Sequence, residues 1–140
     1  MSQTHRPNWQ PISALPTLAS MIDGMLESAE DVSRNLQQAQ PYGRHVLDDH
    51  TVGRIKQVYT TQLDDLWIYK EQVARWKQAS PTPAQHKELE RLTTQLETLR
   101  LVLTSTLALA EKLQEATIEK ILQKSDVDVG LEFLRGTSKR

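Results

Sequence analysis

The sequence predicts an all-α protein, an up-down-up antiparallel three-helix bundle with a short C-terminal helix or extended segment, assembled into a dimer. Three observations carry that expectation. Apolar residues recur at alternating spacings of three and four along three long stretches. The breaks between these stretches hold proline and loop residues, and are short enough to make sequential helices antiparallel neighbours. The third stretch is apolar almost all the way round for three turns, which calls for cover on several sides.

Residues 1–16 carry Pro7, Pro11 and Pro16 around Trp9 and read as an irregular arm, because proline removes backbone donors and biases the preceding residue toward extended geometry. Trp9, Ile12 and Leu15 give the arm an apolar side, so it either docks on the bundle or hangs free. The bundle domain covers residues 17–124, with helices over about 17–40, 48–79 and 83–124. Its first stripe is Leu15, Leu18, Ile22, Met25, Ala29, Val32, Leu36 and Ala39, ended by Pro41, Tyr42 and Gly43.

Asp48 and Asp49 put negative charge where the free amides of a second helix begin. The stripe then resumes at Val52, Ile55, Tyr59, Leu66, Tyr69, Val73 and Trp76, with Gln62 as its one polar position. After Ser80 and Pro81, Thr82 is placed to cap a third helix, Pro83 suits its first turn, and Gln85 completes a capping box. Helix three carries Leu89, Leu92, Leu96, Leu99, Leu103, Leu107 and Ala110. If it runs to Lys124 it is roughly 60 Å long at 1.5 Å per residue, longer than either neighbour. Residues 125–140 form a separate C-terminal element and basic tail. Ser125, Asp126 and Asp128 favour a helix start, whereas the alternation of Val127, Val129, Leu131 and Phe133 equally suits a strand.

Seventeen basic side chains against eighteen acidic ones leave no global field to draw the chain to nucleic acid or to a charged lipid surface. Neither is an expected partner. The absence of cysteine excludes disulfides and thiolate metal sites. No apolar run is long enough for a signal peptide or a membrane span, so the cytoplasm is the expected location.

Catalytic sites in helical bundles are recognisable by the spacing of their residues. None of His5, His45, His50 and His86 follows a glutamate by three residues, which removes the carboxylate-bridged di-metal bundle. Glu27 and Glu30 share one helical face, but no second such pair completes a magnesium cage. His45, Asp48, Asp49 and His50 form a possible acid-base or metal cluster, although helix capping accounts for the acids alone. Trp67, Ile68, Tyr69, Lys70, Trp76 and Lys77 interleave aromatic and basic residues as single-strand binders do, yet Tyr69 and Trp76 fall on the core stripe. No cofactor, metal or catalytic residue is expected.

Helix three holds the anomaly. Leu101 with Ala108, and Val102 with Leu109, add apolar lines that cannot all share the core face of Leu96, Leu99, Leu103 and Leu107. These four are the self-association candidates. Trp67, Val127, Leu131, Phe133 and Leu134 are the candidates for contact with another protein. The expected function is that of a non-enzymatic interaction protein, such as an adaptor, chaperone or assembly subunit, acting as a homodimer. The alternatives are a small-ligand or nucleic-acid binding module, or an enzyme with an unrecognised carboxylate or histidine site.

Overall fold

The computed structural model of the chain describes residues 7–39 and 49–139, with side chains over 7–38 and 49–115. A single 3-10 turn at Ile12–Ala14 leads into α1, Leu15–Ala39; α2 spans Asp49–Lys77 and α3 spans Pro83–Lys139. There is no strand among the described residues. Direction follows from pairs between elements. Lys77 Nζ lies 3.3 Å from Glu90 and Lys56 Nζ lies 3.6 Å from Glu111, so numbers fall along α2 as they rise along α3. Asp23 meets Arg91, and Leu36 packs with Ala110 and Leu113, so α1 and α3 run the same way. The bundle is therefore up-down-up, with α3 packed against both α1 and α2.

The heptad logic of the sequence is visible in what is buried. Val52, Tyr59, Leu66 and Val73 recur every seven residues on α2, and Leu89, Leu92, Leu96, Leu99 and Leu103 are essentially inaccessible on α3. On α1 the buried line is Leu15, Ala19, Ile22, Leu26, Ala29 and Leu36, while Leu18, Met25 and Val32 flank it half-buried. The core divides into a large cluster and a smaller one formed by Leu36, Val52, Ala110 and Leu113. Val32 and Ile55 pack against both clusters. On α3 the interval between them holds Thr106, which is fully buried and whose hydroxyl has no hydrogen-bond partner. The Oε1 of Gln62, the polar position of the α2 stripe, is likewise buried without a partner.

The turn between α2 and α3 has the expected chemistry. Gln78 and Ala79 donate to the carbonyls of Arg75 and Trp76 at 3.1 and 3.0 Å, tightening the last turn of α2. Ser80 then adopts a left-handed φ of 52°, which redirects the chain. Thr82 and Gln85 form a reciprocal capping box: Gln85 N donates to Thr82 Oγ1 at 3.1 Å, and Thr82 N donates to Gln85 Oε1 at 2.9 Å. The loop predicted at 41–47 lies outside the described residues.

The C-terminal part of α3 differs from expectation. The backbone of α3 continues unbroken through Ser125 and Gly130 to Lys139, 57 residues and about 86 Å in all, so no separate C-terminal helix or strand exists. The physical reason is that a capping serine helps only where the chain has already left the helix, and Gly130 and Gly136 each cost about 1 kcal/mol without removing a backbone donor. No proline stands in residues 84–139 to force a break.

The arm, for its part, is docked over the residues described. Gln10 N donates to Gln72 Oε1 at 2.7 Å, and the carbonyl of Gln10 accepts from Trp76 Nε1 at 2.8 Å. The Arg75 guanidinium lies 4.3 Å from the centre of the Trp9 ring.

Candidate interaction surface

The outer face of α3 is built by arithmetic. With a core on one side of the helix and α1 and α2 on its flanks, every seventh residue starting from Lys87 points away from all three: Lys87, Thr94, Leu101, Ala108 and Glu115 are exposed. Leu101 has 55% of its surface open, the largest value for any bulky apolar residue described. From Leu101 to Ala110 the helix carries no charge, and the outward positions there are Leu101, Thr104, Ser105 and Ala108. The four candidates of this helix thus divide. Leu101 and Ala108 face out, whereas Val102 and Leu109 are half-buried, packed against the larger and the smaller core cluster.

Trp67 is 54% exposed on α2. The register set by Lys77 with Glu90 and Lys56 with Glu111 puts Trp67 level with Arg100, one residue from Leu101. The other aromatic and basic residues of its run are engaged elsewhere. Trp76 is buried and Tyr69 half-buried. Arg75 pairs with Glu71 at 3.2 Å and stacks on Trp9, Lys77 pairs with Glu90, and Lys70 adds to the attraction that lowers the Glu97 carboxyl behind its hydrogen bond from Arg100. Val127, Leu131, Phe133 and Leu134 lie on the continuing α3 backbone, and their side chains fall outside the described residues.

No family model, curated protein or solved structure matches this chain.

His5, His45 and Asp48 are outside the described residues; Asp49 and His50 open α2, exposed; Glu27 and Glu30 are exposed on α1. Among the described residues, no three histidine or acidic side chains converge where they could hold a metal ion. No helix searched among them is long and apolar enough to cross a membrane.

Two features were missed in the sequence. Arg91 makes a two-pronged contact with Asp23, at 3.0 and 2.9 Å, while binding Glu88 at 2.8 Å, and Gln95 adds a donor to Asp23 at 2.9 Å. The hydrogen bonds from Arg91 hold the Asp23 and Glu88 carboxyls below their ordinary values, Gln95 assisting at Asp23, and the two acids in turn raise Arg91. The cluster clamps α1 to α3. Only the Glu88 to Arg91 spacing was legible, because Asp23 sits 68 residues away.

The second feature is a groove of about 460 Å³ between α1 and α2, roofed by the arm. Trp9, Leu18, Met21, Ile68, Tyr69 and Trp76 form its apolar walls, and none of its lining residues carries a charge. Burial, and then the charge of Asp65, push the Tyr69 phenol above its ordinary value, so it stays neutral.

Proposed function

We propose that this chain is a non-enzymatic interaction protein whose working surface is the outer face of α3, used for self-association and, with Trp67 beside it, for contact with other proteins. The observation that carries the reading is Leu101, more than half open to water at the start of a helical stretch, Leu101 to Ala110, without charge. A lone exposed leucine is ordinary. One flanked by Ala108 and small hydroxyl residues, and level with an exposed tryptophan on the neighbouring helix, is the composition of a contact surface. Light scattering coupled to gel filtration tests it. The natural chain should exceed the 16.0 kDa monomer mass at tens of micromolar, and Leu101→Glu should return it to monomer while leaving the helical signal intact. A natural chain that stays monomeric at 200 µM refutes self-association.

The uncharged groove supports a second reading, in which the protein holds a small, flat, uncharged molecule. Its volume falls within the range of ligand pockets, about 300 to 1,000 Å³, and its aromatic walls with a few amides match their usual lining. A neutral naphthylamine probe should quench Trp9 and Trp76 fluorescence and lose that effect in Met21→Arg, since Met21 is 42% exposed at the rim and its replacement leaves the core untouched. Quenching that persists in the variant rules the groove out.

A further inference from the structure

We infer that the occupant of the outer face of α3 is a second copy of the same helix, laid antiparallel with the two-fold axis passing through Leu101; this rests on the self-association reading. Two facing helices related by such an axis bring each residue a given number of places before Leu101 opposite the residue the same number of places after it. The chain can therefore be tested against itself. Lys87 comes opposite Glu115 and Glu90 opposite Lys112, while Thr94 meets Ala108 and Leu101 meets its own copy.

All of these residues are exposed, and at 100° per residue they lie within about 40° of the direction of Leu101. On the flanks of the strip Arg91 faces Glu111, again with opposite sign. Glu97 faces Ser105, and its charge is already met within the chain by Arg100 at 2.6 Å. No like charges meet. A parallel pairing in register would instead set Lys87 against Lys87 and Glu115 against Glu115, so charge selects the antiparallel arrangement.

The pattern is that of a coiled-coil seam closed at each end by ionic pairs, with Glu97, held by Arg100 of its own chain, as the one charged side chain of the strip between them. Lys87, Lys112 and Glu115 are exposed and make no ion pair with another described side chain. The strip from Lys87 to Glu115 is roughly 42 Å long and 10 Å wide, about 420 Å² on each copy, which is below the standard size of specific interfaces, so the dimer is a weak one that assembles at high protein concentration.

The absence of cysteine makes the register measurable. Leu101→Cys should form a disulfide-linked dimer on mild oxidation. Thr94→Cys and Ala108→Cys should each cross-link poorly alone and efficiently when mixed. In the second arm of the experiment, Glu115→Lys should weaken the dimer by roughly tenfold in sedimentation equilibrium, because two attractive contacts become repulsive, and Lys87→Glu in the same chain should restore it. If the natural chain is dimeric but Thr94→Cys and Ala108→Cys each link to themselves, the antiparallel register is overturned and self-association stands. If the natural chain is monomeric throughout the concentration range, both fall.

Discussion

The most informative single residue in the core is Thr106, inaccessible to water and without a partner for its hydroxyl, on the helix that both neighbours pack against. Leaving a buried polar group unpaired costs about 1 to 3 kcal/mol, and valine has nearly the same shape without the hydroxyl. Thr106→Val should therefore raise the unfolding free energy by about 1 kcal/mol in urea titration. A decrease would show that the hydroxyl is satisfied in solution.

Asp23 supplies a second test at this scale. Its carboxyl ionises more readily folded than unfolded, so the stability it contributes is present above the ordinary carboxylate value, about pH 4, and is lost as pH falls below it. With the pair about two-fifths exposed, solvent screening holds that contribution to about 0.5 kcal/mol. Asp23→Asn should lower stability by that amount at pH 7 and by nothing at pH 2. Curves that stay parallel into acid would mean Arg91 is not the cause. The leucines were legible in the sequence because burial repeats with the helix, whereas Asp23 was not, because the partner that makes an exposed aspartate matter is set by tertiary packing.

Helix starts and stops were readable where a side chain satisfies a backbone group within three residues, as Thr82 and Gln85 do. They were misread where a local signal had no break to act on, as at Ser125 and Gly130. The same principle yields opposite substitutions with one outcome. Gly24 lies inside α1, and an added Cβ would meet nothing within 4 Å, so its only effect is entropic. Ser80 holds a left-handed φ that glycine reaches without strain. Gly24→Ala and Ser80→Gly should each stabilise the chain by about 0.5 to 1 kcal/mol. Additive shifts of the thermal midpoint in the double variant would confirm that the two act independently, and a loss for Ser80→Gly would show that the serine side chain contributes to the turn.

At the scale of the whole molecule, α3 is the spine, α1 and α2 lie along it, and the arm ties across the far side of the groove between them. That division of labour explains why an outer face of α3 stays uncovered while the inner groove is lined on one side by the arm. Residues 7–11 contribute little apolar mass beyond Trp9, so their hold depends on the backbone of Gln10, which meets Gln72 and Trp76 through three hydrogen bonds of 2.7 to 3.4 Å. Gln72 was unremarkable in the sequence, one glutamine beside the stripe, and is 93% shielded because the arm covers it. Deleting residues 1–11 would strip the partners from a buried amide and a buried indole N–H, with only water to replace them. The loss should be about 2 kcal/mol, a fall of roughly 5 to 10 °C in Tm for a chain of this size. Trp76 emission should move to the red as its ring meets water. Trp76→Phe in the full chain removes one of the three bonds and should give a smaller fall, about half as large. If the deletion leaves Tm and emission unchanged, the arm is not docked in solution and the groove stands open along its length.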